Sequence, residues 1–377
     1  MKTDILIIVA DLDLGGTENY LLQTLPFVKE AFQVKIFCIT HKGFLASSLE
    51  DHGIAVFSLW RSKIQLFPNH YKLSIFIKLC ALIISALYFL YILVSTRPKI
   101  IHCYLPTAVL FGLFLSLPFS RLKKIVSRRS QNHYQSKYPK LALLERWLMK
   151  RCDSIHANSK PVQDELVTEG FQIEKILLVR NFVRFPNILP RRYTVEKKIK
   201  FLCVANLHSY KGHRFLIQVL STCPLSDYQW TCNLLGSDIN GNLQSLRDYA
   251  YEVGLSKKIN FVGSVTNTSD YYSSHDIFLF FSEQEGFPNA VAEAMSFGCA
   301  IVACNVGGIT DMIKHNRTGI LIKPGDMIAA QNAIKLLVED VSLRQRLGKK
   351  AKEWILHNLN YSQTIDPIVA DYKRLML

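Results

Sequence analysis

Two glutamates beside a predicted helix start are the residues of this chain whose types and spacing most directly suggest chemistry. Glu285 and Glu293 stand eight positions apart. Pro288 suits the first position of a helix and Gly298 suits a left-handed stop, so the pattern predicts a helix from about Pro288 to Phe297. Glu285 then lies in the loop before this helix, and Glu293 lies within its second turn.

The predicted helix start also offers donors for an anion between these two carboxylates. The amides of Asn289, Ala290 and Val291 are expected to point out of the helix start, where the helix dipole is positive. Two carboxylates for sugar hydroxyls, with phosphate donors between them, are what a nucleotide-sugar site requires. The alternative is an amphipathic helix with two surface glutamates, because acids are common near helix starts.

Two further loops follow predicted strands and could approach a phosphate. Gly15 and Gly16 follow the first strand and open a helix, where paired glycines let the backbone come close to a ligand. Lys211 and Gly212 follow the first strand of the second half, where a lysine suits a phosphate contact. A tight turn and a solvated loop lysine are the alternatives. Neither loop fits the dinucleotide fingerprint G-x-G-x-x-G, and no Walker motif occurs in the sequence.

Alternating strand and helix patterns supply the elements that must position these residues. Short apolar runs separated by helical stretches indicate parallel sheets wound on both faces. The predicted strands are too many for one such sheet. They are residues 5–10, 34–40, 55–59, 99–103, 124–127, 154–157, 176–179, 200–204, 229–235, 258–262, 277–281 and 300–303.

The chain is therefore expected to divide into two domains. The natural division lies between Phe182 and Lys198, where two prolines and mixed charge interrupt the periodicity. We expect an α/β protein of two Rossmann-like, doubly wound domains, residues 1–185 and 186–360. A C-terminal helix at about 361–377 is a candidate to pack back on the first domain.

Composition bounds the class of protein and its partners. The chain has 377 residues, of which 49% are hydrophobic and 20% charged, so it is globular rather than disordered. The net charge is +15, and residues 1–190 hold 24 basic against 13 acidic side chains (+11). Such a basic half implies an anionic partner. Because no finger spacing, basic zipper or basic run with interleaved aromatics occurs, a membrane surface is favoured over nucleic acid.

Cysteine usage and the first apolar run indicate the compartment. Nine cysteines, an odd number without C-x-x-C spacing, are typical of reduced core residues in a cytosolic protein. The run Ile5–Ala10 is too short for a secretory signal, and Asp4 and Asp11 bracket it. We therefore expect a cytoplasmic protein.

One apolar segment leaves the relation to a membrane open. Leu73–Val94 is long enough to span a bilayer, and Lys78 is its only charge. We favour a buried crossover helix, because a spanning helix would put the strands before and after it on opposite sides of a membrane. Together with a second apolar helix at Thr107–Leu117, the segment could also dock in the plane of an anionic bilayer. The basic candidates for the membrane or acceptor side are Lys123, Lys124, Arg128 and Arg129.

Taken together, the motifs resemble those of family 4 glycosyltransferases, which are retaining enzymes of the GT-B fold and include enzymes of bacterial cell-surface polysaccharide synthesis. The resemblance covers nearly the whole chain in the expected order. Glu285 and Glu293, with Gly286-Phe287-Pro288-Asn289 between them, resemble the family's signature carboxylate pair. The other similar segments are Gly15-Gly16-Thr17-Glu18, Ile101-His102, residues 155–159, Val179-Arg180-Asn181 and Lys211-Gly212.

The resemblance implies a role for each of these residues. Glu293 would hold the ribose hydroxyls of the nucleotide, and Glu285 would hold hydroxyls of the donor sugar. Lys211 and the amides after Pro288 would neutralise the diphosphate. Gly16 would approach the diphosphate from the other domain.

The resemblance further implies two domains that face each other across a cleft. His102, at a strand end, would face the transferred sugar near its anomeric carbon. Many relatives carry an Arg where this chain has Asn206, which the resemblance places among the donor-binding residues. More of the diphosphate charge would then fall on Lys211, or on His208 or Arg214.

The implied reaction moves a sugar from a nucleotide-sugar to a lipid-linked glycan with retention at the anomeric carbon. Both glutamates lie beside the phosphate helix on one domain, so neither is assigned as a nucleophile. A front-face substitution, in which the leaving phosphate takes the acceptor proton, fits the family. A UDP-sugar is the favoured donor and a GDP-sugar is the alternative. Because Lys211 and amides would replace a metal, no metal or other cofactor is expected.

Two other functions stay open from the sequence. A sugar-nucleotide epimerase of similar architecture would convert the donor with no acceptor present. A polytopic membrane scaffold would use Leu73–Val94 and Thr107–Leu117 as spans, and it would resist carbonate extraction. We expect an enzyme that is peripherally attached to the inner face of the cell membrane.

Overall fold

The chain folds into two units, each built around one parallel β-sheet. The first unit comprises Met1–Phe182 with Tyr361–Leu377, and the second comprises Val183–Asn360. The computed structural model describes residues 3–13, 15–60, 71–131, 138–183, 198–238, 240–265 and 267–377, with backbone only for 71–76. The expected boundary between residues 185 and 186 lies outside these ranges. The C-terminal residues 361–377 belong to the first unit.

Helices connect the strands along the described chain. They are α1 Gly16–Ala31, α2 Ala46–Asp51, α3 Tyr71–Thr96, α4 Leu105–Ala108, α5 Pro139–Met149, α6 Lys160–Thr168, α7 His213–Thr222, α8 Leu243–Glu252, α9 Ser269–Ser274, α10 Asn289–Ser296, α11 Ile309–Met312, α12 Met327–Glu339, α13 Val341–Asn358, α14 Tyr361–Thr364 and α15 Asp366–Met376.

The first unit holds a seven-stranded sheet in the order β3-β2-β1-β4-β5-β6-β7. Its strands are β1 Ile5–Val9, β2 Val34–Cys38, β3 Ala55–Phe57, β4 Ile100–Tyr104, β5 Lys123–Arg128, β6 Ser154–Ala157 and β7 Ile176–Leu178. Alternate residues of β1 enter two separate cores: Ile5 and Ile7 pack with α1 and α15, whereas Leu6 and Ile8 pack with α3. Helices therefore cover both faces of this sheet, as buried parallel sheets require.

The second unit holds a six-stranded parallel sheet in the order β10-β9-β8-β11-β12-β13. Its strands are β8 Lys198–Val204, β9 Gln229–Leu235, β10 Ile259–Gly263, β11 Ile277–Phe280, β12 Ala300–Cys304 and β13 Ile320–Ile322. In both sheets the strand order reverses beside the first strand, at β1/β4 and at β8/β11. Ligands of such folds bind at the carboxyl ends of the strands next to this reversal.

The expected fold class, two Rossmann-like doubly wound domains, is confirmed. Every strand expected from the sequence is present, with ends within two residues of the expected ones. The strand β13, Ile320–Ile322, was not predicted; it has three residues and lies between the turns at Asn316 and Gly325. A strand this short carries too little alternation to be separated from a loop.

The long apolar segment forms α3, which connects β3 to β4 within one parallel sheet. Both strands therefore lie on the same side of any membrane, and the polytopic scaffold does not fit. The second apolar segment, which the scaffold would need as a span, is a short helix followed by a π-helical turn, Val109–Leu113. The residues of this turn are buried or half-buried. The helix α3 packs on the sheet with one side only, because 22% of an 18-residue stretch within Ile77–Thr96 is buried. By length and composition it is the one described helix that could cross a bilayer.

Buried polar contacts attach the C-terminal helix α15 to the first sheet. Asp371 Oδ2 lies 2.8 Å from Nε2 of His156 on β6. The hydroxyl of Tyr372 lies 2.6 Å from Nδ1 of His102 on β4. Burial alone would raise the pKa of Asp371, but hydrogen bonds and the charge from His156, with a further bond from Arg374, lower it to about 2.

We expect Asp371→Ala to lower the free energy of unfolding by about 3 kcal/mol, because it leaves the buried His156 ring without its acceptor. The pKa of Asp371 is depressed from 3.8 to about 2, so its contribution is present above pH 3.8 and is lost as the pH falls towards 2. Urea denaturation at neutral and acid pH measures this difference. The exposed Asp366→Ala on the same helix is the control, with an expected cost below about 1 kcal/mol. Equal costs for the two variants at neutral pH would contradict the account.

Candidate functional site

In the second unit, the loops after β8 and β11 are tied together at the reversal of strand order. The backbone amide of Glu283 donates to the carbonyl of Tyr210 at 2.8 Å, and the hydroxyl of Ser282 donates to the same oxygen at 3.3 Å. Gly212 has a φ of +74°, and a Cβ there would clash with the carbonyl oxygen of Phe281. Glycine is therefore required at this position both by conformation and by space.

This junction places Lys211 against Glu285. Their charged atoms lie 2.6 Å apart, and the side chains are only 17% and 8% exposed. The ammonium group also lies 5.8 Å from the ring centre of Phe280, which limits its access to water. Residues separated by more than seventy positions thus form one pair. From the sequence, Lys211 was expected at the phosphate and Glu285 at the sugar.

The helix predicted beside Glu285 is present as α10, and Gly298 ends it with a φ of +71°. Pro288 is the cap before the helix and not its first residue. The amide of Val291 donates to the carbonyl of Pro288 at 3.1 Å, so the expectation that it points at a ligand is wrong. The donor roles of Asn289 and Ala290 stay predictions.

Glu293 lies in the second turn of α10, as predicted, and its environment is largely buried. Burial raises the pKa of its carboxyl group, and hydrogen bonds with Tyr272 and Thr268 oppose that rise. Tyr272 is fully buried on α9. Neither partner was predicted from the sequence, because Tyr272 lies in a separate short helix and Thr268 caps that helix, and this pattern carries no signal for a pairing with α10.

A cavity of about 190 Å³ lies in the second unit at the carboxyl ends of β9 and β10. Gly236, Ser237 and Ser264 are among its lining residues. The side-chain oxygen of Asn206 accepts a hydrogen bond from the amide of Ser237 at 3.0 Å. Asn206 therefore holds the loop that lines this cavity, and its expected place among the donor-binding residues stays a prediction.

The other basic residues considered for the diphosphate are engaged elsewhere in the second unit. Nδ1 of His208 lies 2.9 Å from the amide nitrogen of Asn240. The guanidinium of Arg214 stacks 3.8 Å from the ring centre of Tyr249. Lys211 is consequently the cation of this loop that best fits the expected phosphate role.

In the first unit, the glycine loop after β1 carries a carboxyl group. Gly15 caps α1, and the Glu18 side chain lies against it, where a Cβ on Gly15 would meet the carboxylate. Burial raises the pKa of Glu18 to about 7, the residue's own backbone amide and Arg129 lower it, and Asp11 raises it further. The expected approach of Gly16 to a diphosphate stays a prediction. A carboxyl group with this pKa is partly neutral near pH 7, which reduces its repulsion of an anion.

We expect Glu18→Gln to make the chain more stable than the unchanged protein at pH 8, by on the order of 2 kcal/mol. The folded state binds the Glu18 proton more tightly, since the pKa is raised from 4.5 to about 7. The unchanged protein therefore loses stability as the pH rises through this window, and the variant does not. Thermal denaturation across pH 4 to 8 measures the effect. Parallel pH profiles for both proteins would show that Glu18 is not buried as described.

His102 occupies a different environment from the one expected. It is fully buried, with Nδ1 2.6 Å from the hydroxyl of Tyr372 and Nε2 2.8 Å from the hydroxyl of Ser127. Burial, followed by the nearby His156, holds its pKa well below the usual range. Both ring nitrogens are engaged within the first unit, so the expectation that His102 faces the transferred sugar is corrected to a neutral ring that positions α15.

The four basic residues proposed for one membrane or acceptor surface do not share a surface. Lys123 and Lys124 begin β5, whereas Arg128 ends it and Arg129 follows. Lys124 donates to the carbonyls of Phe119 and Leu122, and Arg128, which is 5% exposed, pairs with Glu169 at 3.1 Å. Arg129 stacks 3.7 Å from the ring centre of Tyr20 and donates to Asn181 at 2.6 Å. Only Lys123 is substantially exposed among them.

Among the described residues, one group of side chains has the types and spacing of metal ligands, and it lies in the first unit. Asp11, Asp13 and His41 place their ligand atoms within 4.8 Å of one another. The expectation of no metal overlooked Asp11-Leu12-Asp13, which is an Asp-x-Asp sequence. Nε2 of His41 lies 3.2 Å from Asp13, and Nδ1 lies 3.0 Å from the hydroxyl of Thr40. These internal contacts account for the cluster, and the absence of a metal requirement stays a prediction.

Comparison with known families matches both units. The family described as Glycosyltransferase Family 4 matches residues 14–185, and the family described as Glycosyl transferases group 1 matches residues 187–354. An uncharacterized glycosyltransferase of Haemophilus influenzae is 27% identical over 228 residues, which are 60% of this chain and 61% of that protein. The matched part of the chain thus spans about three fifths of this relative.

Two further similarities extend over more of the chain. The capsular polysaccharide biosynthesis glycosyltransferase CapM of Staphylococcus aureus is 23% identical over 273 residues, 68% of this chain and 72% of that protein. The crystal structure of Anabaena Alr3699/HepE in complex with UDP superposes with a TM-score of 0.80 at 18% identity. It covers 98% of this chain and 100% of that chain, which shows a shared fold.

Proposed function

Because the chain belongs to the family 4 glycosyltransferases of the GT-B fold, we propose that it transfers a sugar from a UDP-sugar to a lipid-linked glycan in the synthesis of a cell-surface polysaccharide. The observation that carries this proposal is the site at the β8/β11 reversal. There the buried Lys211–Glu285 pair stands beside α10, which carries Glu293 in its second turn.

Each of these groups has a distinct task in the proposed reaction. Lys211 contacts the diphosphate, whose charge grows as the glycosyl–phosphate bond breaks, so it stabilises the transition state more than the ground state. When the diphosphate takes Lys211 as its partner, Glu285 becomes available to accept hydrogen bonds from hydroxyls of the donor sugar. Glu293, positioned by Tyr272 and Thr268, accepts from the ribose hydroxyls.

The proposed chemistry proceeds with retention at the anomeric carbon. The acceptor oxygen forms a bond to that carbon on the face from which the diphosphate leaves, and the bond from carbon to phosphate oxygen breaks. The acceptor proton passes to the leaving phosphate oxygen. No protein nucleophile and no metal takes part in this proposal, since Lys211 and the amides at the start of α10 supply the charge stabilisation.

A UDP-sugar is favoured over a GDP-sugar as donor. The similar structure of Anabaena Alr3699/HepE was solved with UDP. The cavity of about 190 Å³ at the ends of β9 and β10 is the proposed place of the base. Titration calorimetry of the purified protein with UDP, GDP and a panel of their sugars tests this choice. Tight binding of GDP-sugars alone would contradict it, and binding of neither class would contradict the proposed function.

We place the enzyme in the cytoplasm, attached peripherally to the inner face of the cell membrane, where a lipid-linked acceptor resides. The support comes from one side of α3, called here the α3 outer face. Its members follow helical spacing and are 52% to 65% exposed: Leu79, Ile83, Leu87, Tyr91 and Val94. A continuous apolar stripe of this kind suits docking in the plane of a bilayer.

We expect the change of Ile83, Leu87 and Tyr91 to Ser to reduce binding to anionic vesicles by about tenfold or more, since each buried apolar side chain contributes roughly 1.5 to 3 kcal/mol. Vesicle co-sedimentation measures the loss. The matched control is Ile328→Ser in the second unit, where the side chain is 69% exposed. Equal binding of the α3 variant and the control would mean that this face does not dock on a membrane.

A further inference from the structure

A second cavity lies in the first unit, at the amino ends of β4 and β5. It has a volume of about 550 Å³ and is formed by the end of α3 and the segment before β5. The loops that follow the strands, including the glycine loop after β1, lie at the carboxyl ends of the strands, on the opposite side of the same sheet. The cavity is therefore separate from the residues expected to take part in sugar transfer.

The lining of this cavity combines an apolar wall with unbalanced positive charge. Leu93, Val94 and Phe119 contribute apolar surface, and Arg97, Lys99 and Arg121 contribute the charge. None of its ten lining residues is a carboxylate. Lys99 reaches Asp4 at 3.5 Å through a half-exposed contact, which screening by water and salt leaves weak.

Arg97 has a left-handed backbone conformation that is usually found at glycine. Its φ is +45°, and its amide donates to the carbonyl of Leu93 at 3.0 Å, which closes the end of α3. This left-handed closing position favours glycine because a Cβ is strained there. An arginine at this point costs stability and places a guanidinium at the cavity.

The cavity is continuous with the α3 outer face, because Val94 belongs to both. A ligand that contacts both the basic cavity and the α3 outer face needs an anionic head group and an apolar tail. We propose that this cavity binds the phosphate-bearing head group of an anionic membrane lipid, whose acyl chains lie along the α3 outer face. A second copy of the chain would cover the apolar stripe but would place cations against cations.

This inference rests on the proposed membrane attachment and adds a specific lipid site to it. Diffuse attraction to an anionic surface depends on the number of charges, whereas a site depends on where they are. The test is co-sedimentation of the full chain with phosphatidylcholine vesicles that contain or lack phosphatidylglycerol. The variant is Arg97→Gln with Arg121→Gln. The matched control, Lys29→Gln with Lys373→Gln, removes two exposed charges from the opposite face of the same sheet.

The site predicts that the cavity variant loses binding to phosphatidylglycerol vesicles by about tenfold or more, while the control stays within about threefold of the unchanged protein. If both variants lost the same amount of vesicle binding, the cavity would not be a specific lipid site, although the proposed membrane attachment would remain. No sedimentation of the unchanged protein would overturn the attachment itself. Binding of free glycerol phosphate that the cavity variant loses, with vesicle binding equal in the variant and the unchanged protein, would assign the cavity to a soluble phosphate and overturn the lipid.

A second variant separates binding from folding. Arg97→Gly relieves the left-handed strain, so we expect a higher melting temperature together with weaker binding to phosphatidylglycerol vesicles. Stronger or unchanged binding in this variant would overturn the role of the Arg97 guanidinium. The melting transition of each variant serves as the check that it is folded. A dimer in solution that the cavity variant abolishes would assign the surface to a second copy and overturn the proposal.

Discussion

Lys211→Ala is expected to lower kcat/KM for sugar transfer by about two orders of magnitude or more. The lysine is the cation that the β8 loop brings against the start of α10, and its 2.6 Å pair with Glu285 shows that it is held in place and not solvated. Loss of a fixed charge at the leaving diphosphate raises the barrier in a site that excludes water. Steady-state kinetics with a saturating acceptor measure the effect.

The ion pair between Lys211 and Glu285 affects the interpretation of this variant. Lys211→Ala leaves Glu285 buried without its counter-charge, which would destabilise the fold as well as the reaction. The variant Lys211→Ala with Glu285→Gln removes that penalty and is expected to remain as inactive. Lys257→Ala, an exposed lysine of the same unit, is the matched control and should keep full activity. Near-normal kinetics in the double variant would mean that another cation serves the diphosphate.

Glu293→Ala is expected to weaken UDP binding by about tenfold or more, because a hydrogen bond to a buried charged group is worth roughly 1.5 to 3 kcal/mol. Glu285→Gln should instead strengthen the binding of UDP alone. UDP lacks the transferred sugar that Glu285 would contact, and the substitution frees Lys211 for the phosphate. Titration calorimetry with UDP and with the UDP-sugar separates the two roles.

The partners of Glu293 provide the control for this second result. Tyr272→Phe keeps the ring that packs in the core and removes the hydroxyl that bonds Glu293. We expect an intermediate loss of UDP affinity, since the carboxyl group stays but is less well oriented. If Glu293→Ala bound UDP as tightly as the unchanged protein, its assignment to the ribose would be wrong.

The fold was readable from the sequence because its signals are local. Runs such as Ile5–Val9 and Ala300–Cys304 are wholly apolar, as strands covered on both faces must be, and glycines mark the turns. The strand Ile320–Ile322 escaped because three residues show no periodicity. The exposure of α3 also escaped, since an apolar run predicts a helix but does not show which of its sides the protein covers.

The candidate site was readable only in part, because pairings between distant residues leave no local pattern. The position of Glu293 in α10 followed from its spacing to Pro288 and Gly298. Its bonds to Tyr272, and the contact of Lys211 with Glu285, depend on how the strands are ordered in the sheet. The burial of His102 was equally hidden, since a strand-end histidine looks the same whether it faces a ligand or a neighbouring helix.

The most direct test of the account is transfer of a radiolabelled sugar from UDP-sugars to a bacterial lipid extract by the purified chain, with chelator present. We predict label in the lipid fraction and UDP released in equal amount, with the anomeric configuration of the donor kept in the product. Lys211→Ala with Glu285→Gln should abolish both signals. Epimerised donor with no labelled lipid, or label transferred at an unchanged rate by the double variant, would contradict the account.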